Sequence, residues 1–134
     1  MKRMAKLFVY GTLQPKGSLH SMLRTVTQNY EPATLNNYAL YKHPLGLYPE
    51  ITKDLNRKVV GTLMDVQTNT EDFLEVLMME VFAGYNAEVL EVRTRHGLLI
   101  NALTFVAKDI PKGFLIESGD WLEYEKSLAF NLQI

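Results

Sequence analysis

The sequence predicts an α+β fold, a small, mixed but mainly antiparallel β-barrel with a few flanking helices. Three observations carry that prediction. Apolar, β-branched runs separated by turn residues recur along the chain. A single well-marked amphipathic helix interrupts them near the middle, between about residues 68 and 84. After it, two strand-like runs meet at His96-Gly97, a strong hairpin signal.

Taken in order, Leu7-Phe8-Val9 has the composition of a buried strand. Gly11 ends that run, and Pro15 with Gly17 marks a loop. Ser18 is placed to cap a short helix holding Leu19, Met22 and Leu23. Asn29-Tyr30-Glu31-Pro32 reads as loop, and residues 34–41 as a strand interrupted by Asn36-Asn37. Two prolines and a glycine make residues 42–49 irregular. Asn56-Arg57-Lys58 breaks the chain before a strand over residues 59–66, where Gly61 suggests a bend or bulge.

Thr68 and Glu71 form a capping-box pattern at the start of the helix. Its apolar positions are expected at Phe73, Leu74, Leu77, Met78 and Val81, and Gly84 closes it. Residues 85–95 and 98–108 are the two hairpin strands. Pro111, Gly113 and Gly119 punctuate a loop leading to Asp120-Trp121-Leu122-Glu123-Tyr124, a short helix or turn against the barrel.

Composition narrows the classes of function. The chain has 134 residues, 47% hydrophobic and 22% charged, which fits one globular domain over residues 1–134 with no internal linker or repeat. A net charge of -1 argues against nucleic acid as a partner. With no cysteine, thiol chemistry and disulfides are excluded. No apolar run approaches the roughly 20 residues of a membrane helix, so no membrane partner is expected and the cytoplasm is the default location. His20, His43 and His96 are dispersed without ligand spacing, so no metal site is expected, although His20 lies close enough in sequence to the Gly11 loop to reach a pocket there. Oligomeric state is not written in the sequence.

Two places suggest chemistry. A strand ending in a glycine turn before a helix, Tyr10-Gly11-Thr12-Leu13, presents backbone N–H groups that suit a carboxylate or phosphate. It is equally what an ordinary strand end looks like, and it lacks the glycine and lysine spacing of nucleotide-binding loops. Glu80 stands beside the apolar stripe of the helix. It is either a solvated glutamate on the stripe's margin or a partly buried carboxyl whose pKa rises toward acid–base use.

Phe8-Val9-Tyr10-Gly11-Thr12-Leu13 resembles the opening signature of the gamma-glutamylcyclotransferase-like family. The likeness continues in order with Gly46-Leu47-Tyr48-Pro49, with Val59-Val60-Gly61-Thr62-Leu63-Met64-Asp65-Val66, with Glu80 shortly before Tyr85, and with Gly119-Asp120-Trp121 and Tyr124. The resemblance implies a barrel that cyclises a γ-glutamyl amine or amino acid to 5-oxoproline and free amine, without metal or cofactor. It implies Glu80 as the general acid/base, and Tyr10, Gly11, Thr12, Leu13 and Tyr85 as substrate contacts. Tyr48, Pro49 and Trp121 would border the pocket, Trp121 alternatively being a core aromatic. The chain departs from the family pattern at Glu50, at Val81 in place of a glycine and at Ala87 in place of an arginine. Val81 and Ala87 leave open a catalytically weak or silent member that binds a small carboxylate ligand as a sensor or accessory module. The leaving amine is not legible.

Overall fold

The computed structural model describes residues 3–17, 20–45 and 48–132, with side chains described through residue 128. Five strands form a closed barrel in the order β1-β3-β2-β4-β5. They are β1 (Met4–Val9), β2 (Thr27–Lys42), β3 (Pro49–Gln67), β4 (Tyr85–Thr94) and β5 (Leu99–Ala107). Helix α1 (Glu71–Phe82) joins β3 to β4, and α2 (Trp121–Leu132) follows β5. Every pairing is antiparallel except the closing one, where Leu7 and Phe8 of β1 lie parallel to Leu103 and Thr104 of β5. The expected mixed, mainly antiparallel barrel with flanking helices is the fold observed.

Alternation along β1 divides the core. Leu7 and Val9 face α1 and pack with Met64, Val66, Phe73 and Val76. Phe8 and Tyr10 face the other way, into a cluster with Leu35, Leu63, Val92, Ala102 and Trp121. A strand covered on both faces reads as a continuous apolar run, as this one does.

The middle of the chain departs most from expectation. Residues 29–32 are strand, not loop, because Tyr30, Glu31 and Pro32 pair with Met64, Leu63 and Thr62. Pairing with β4 begins only at Ala33, so Pro32 sits where β2 has one neighbour and a missing N–H is tolerated. The two asparagine breaks prove to be one irregularity in a continuous ladder. Asn36 pairs with Lys58 and Tyr38 with Lys53, and the excess residues of β3 bulge outward. Asn37 and Asn56 take positive φ there, 66° and 74°, which asparagine accepts better than most residues. Gly61 is not a bulge: it pairs with Ala33, and a Cβ on it would stand 2.4 Å from the Val9 carbonyl oxygen.

Helix α1 begins two residues later than the capping-box reading. Thr70 is the N-cap, its Oγ1 accepting from the Phe73 N–H at 3.2 Å, while the Thr68 hydroxyl donates to the Arg3 carbonyl. Its inward stripe is also rotated. Phe73 and Val76 are buried and Leu77 and Glu80 half-buried, whereas Leu74, Met78 and Val81 are exposed. Gly84, at φ +97°, follows the helix and turns the chain into β4.

The segment before β2 contains a 3-10 turn, His20–Met22, rather than the expected helix, and Ser18 and Leu19 lie outside the described residues, as does Gly46. The element at Asp120 is a full helix. Asp120 caps it by accepting from the Glu123 N–H at 3.2 Å. Among the described residues no helix is long and apolar enough to cross a membrane.

Candidate functional site

At the C-terminal end of β1 the chain forms a cleft, open to solvent and lined mainly by apolar side chains. Three parts of the sequence supply the residues singled out above, and Phe105 of β5 adds to the lining. The strand end and loop supply Tyr10, Gly11, Thr12 and Leu13; the start of β3 supplies Tyr48 and Pro49; the end of α1 and start of β4 supply Glu80 and Tyr85. The fold thus brings together eight of the nine residues singled out from sequence.

Trp121 is the exception. It is 2% exposed inside the cluster around Phe8 and Leu63 and does not line the cleft. Its position as the first residue of α2 makes it the anchor of that helix, and its indole N–H has no hydrogen-bond partner among the described residues. His20 also stays off the cleft lining. Its Nδ1 lies 3.1 Å from the Leu13 carbonyl oxygen, bracing the loop instead.

The glycine loop is held by its carbonyls and one buried amide side chain. The Gly11 carbonyl accepts from the Gln14 N–H at 3.2 Å, and Gln14 Oε1 accepts from the Thr62 hydroxyl at 3.1 Å. No described residue accepts from the backbone N–H of Gly11, Thr12 or Leu13. Gly11 is required sterically, because a Cβ there would meet Pro49 Cγ at 2.6 Å and Cδ at 2.9 Å.

Glu80 sits one helical turn beyond Val76 and Leu77, where the stripe would otherwise carry another apolar side chain. Burial among such groups penalises the charged form and pushes its carboxyl from 4.5 up to about 7. No ion pair to Glu80 is formed among the described residues.

Two tyrosines fix the walls. The Tyr10 hydroxyl donates to the Phe105 carbonyl and the Tyr85 hydroxyl to the Pro49 carbonyl, both buried. Burial first, and then neighbouring tyrosine and glutamate groups, raise both phenols above the usual tyrosine range, so both stay protonated. Tyr48 meets Tyr85 edge-on at 6.4 Å and stacks on His43 at 4.6 Å on its other side.

Sequence reading missed Phe8, Val9, Met79, Ala83 and Phe105 in the lining, and the His43–Glu50 contact behind it. That contact follows from the β2–β3 hairpin, where Tyr41 pairs with Glu50 and Lys42 with Pro49, a register that the irregular 42–49 stretch concealed. Ala87 is exposed and outside the lining, and Val81 is 56% exposed. Among the described residues no group of three His, Cys, Asp or Glu could hold a metal ion.

Fold and cleft define the class: an α+β barrel with a largely apolar pocket where its first strand ends in a glycine turn. Within that class the chain belongs to the gamma-glutamyl cyclotransferase, AIG2-like family, whose pattern it matches over residues 7–123. A solved structure of an uncharacterized protein from Pyrococcus horikoshii is 25% identical, with a TM-score of 0.72, covering 94% of this chain and 97% of that one. An AIG2-like protein from Mus musculus is similar at 20% identity and TM-score 0.71, over 89% and 88% of the two chains. A structure titled gamma-glutamyl cyclotransferase gives 16% identity and TM-score 0.67, over 95% and 87%. At these last two identities the likeness is one of fold. Among curated proteins the sequence finds no match.

Proposed function

We propose that this protein is a gamma-glutamyl cyclotransferase, releasing 5-oxoproline and a free amine from a γ-glutamyl amine or amino acid. The observation that carries the reading is the placement of Glu80, with its carboxyl raised to about 7, in the same cleft as Gly11, Thr12 and Leu13, whose amides have no acceptor among the described residues.

In this reading the loop amides hold the substrate's α-carboxylate. The γ-glutamyl chain folds back so that its α-nitrogen faces its own γ-carbonyl carbon, a positioning effect worth several kcal/mol. Glu80 accepts a proton from the α-ammonium. The freed amine forms the new C–N bond, and Glu80 gives the proton to the departing nitrogen as the old C–N bond breaks; the ring nitrogen's second proton follows to the departing amine, leaving a lactam N–H and an alkylammonium. No water is consumed. A carboxyl near neutrality can do both jobs, since it is neither too weak a base nor too weak an acid. The phenols of Tyr10 and Tyr85, whose protons already go to carbonyls, keep oxygen lone pairs for the ammonium.

The test is 5-oxoproline release from a panel of γ-glutamyl amides and dipeptides, with Glu80→Gln as the control. Turnover by the wild type and its loss in the variant supports the reading. A wild type that binds 5-oxoproline yet turns over nothing marks a carboxylate-binding module instead.

A further inference from the structure

Gln14 follows the glycine loop directly, is 4% exposed and does not line the cleft. Its N–H donates to the Gly11 carbonyl at 3.2 Å, and its carbonyl accepts from the Gly17 N–H at 2.7 Å. Those two bonds close the loop on itself. A third ties it to the barrel wall, where the side-chain Oε1 accepts from the Thr62 hydroxyl at 3.1 Å. Thr62 is a fixed point, because it stands mid-ladder in β3 with Val9 on one side and Pro32 on the other.

The amide of Gln14 is held there at a cost. Its Nε2 is buried without a hydrogen-bond partner among the described residues. Whichever way the amide is turned, Thr62 meets one of its two polar atoms and leaves the other unmet. An apolar side chain of the same length would avoid that loss, and removing both partners of such a bond together costs little. Packing alone therefore favours methionine at position 14 and valine at position 62. The bond is explained by what it holds still. The three residues before Gln14 are Gly11, Thr12 and Leu13, whose N–H groups have no acceptor among the described residues. Amides grip an anion well only when their direction is set beforehand.

We infer that Gln14, through Thr62, is the positioning residue of the substrate loop and aims the amides of residues 11–13 at the α-carboxylate. The inference rests on the cyclotransferase reading for the identity of that carboxylate. The loop grips it equally before and during reaction, so losing the strut should raise KM and leave kcat nearly unchanged. Some stability is given up for a loop set in advance.

The experiment uses Gln14→Met, Thr62→Val, the double variant, and Thr62→Ser, which keeps the hydroxyl. It reads the dissociation constant of 5-oxoproline, KM and kcat for 5-oxoproline release, and the melting temperature. The double variant should melt at or above the wild-type temperature. It should bind 5-oxoproline roughly tenfold more weakly, with KM raised by a similar factor at nearly unchanged kcat. Thr62→Ser should restore the affinity lost in Thr62→Val. Wild-type affinity in the double variant, weaker binding that comes with a lower melting temperature, or a Thr62→Ser no better than Thr62→Val overturns the inference, since the bond would then be idle or merely structural. A wild type that binds 5-oxoproline yet turns over nothing overturns the cyclotransferase reading alone, because the dissociation constants still decide the role of Gln14. A wild type that neither binds 5-oxoproline nor releases it overturns both.

Discussion

The ring of Pro49 fills the space that a side chain on Gly11 would need: an added Cβ would stand 2.6 Å from Pro49 Cγ. The contact joins the loop after β1 to the first residue of β3 and sets the width of the cleft between them.

Gly11→Ala should therefore destabilise the protein by about 1–3 kcal/mol, the usual cost of overpacking. Pro49→Ala, which removes the clashing Cγ and Cδ atoms, should recover part of that loss when combined with it. Urea unfolding of both single variants and the double variant checks this. Additive losses would mean that the two residues do not press on each other.

Glu80→Gln keeps volume and hydrogen bonding but cannot take up a proton. Turnover should fall by two to four orders of magnitude, the usual worth of positioned acid–base catalysis. In the wild type, kcat/KM should climb with pH through about 7, as the carboxyl raised by burial loses its proton and becomes a base. A rate flat from pH 5 to about 9 would take Glu80 out of the proton transfers.

The same carboxyl makes stability depend on pH, with a definite sign. Its folded pKa, about 7, lies above its ordinary 4.5. Between those values the folded chain holds a proton that the unfolded chain has released, so stability falls as pH rises and levels off above about 7. Glu80→Gln should lack that decline. Above pH ~8 it should be the more stable protein, by on the order of 2 kcal/mol. Thermal unfolding of both proteins across pH reads the difference.

Binding of 5-oxoproline should move the backbone N–H resonances of Gly11, Thr12 and Leu13 most, since those amides have no acceptor among the described residues. The measurement is an amide-detected NMR titration. Shifts confined to Lys and Arg side chains at the surface would refute carboxylate capture by the loop.

What the sequence made legible depended on how local the cause was. The Leu7–Val9 strand, the Gly84 stop and the His96-Gly97 hairpin are each set by a few neighbouring residues, and each is found where it was expected. The long β2–β3 ladder was not legible, because Pro32, Asn37 and Asn56 are breakers when read alone. Only the partner strand shows that they fall at a one-sided edge and a bulge. Helix α1 carries two apolar stripes of helical spacing, and tertiary packing chose Phe73 and Val76 over Leu74 and Met78. Glu80 could be singled out because it stands among apolar neighbours on its own helix. The core alternative read for Trp121 is the one the fold adopts, whereas the fit of Pro49 over Gly11 depends on segments far apart in sequence and had no local signal.

The parallel pairing of β1 with β5 sets the order in which this protein can come into being. Tyr10 donates to Phe105 across 95 residues of chain, and the closing bridge is Leu7 beside Leu103. Contacts so distant carry a large loop-closure cost and are slow to form. On a ribosome, β1 can meet β3 and α1 first, but its other edge stays open until β5 has emerged. The cleft, which draws on β1, α1 and β5 together, is therefore among the last features to exist, and the nascent chain is most exposed to aggregation just before its barrel closes.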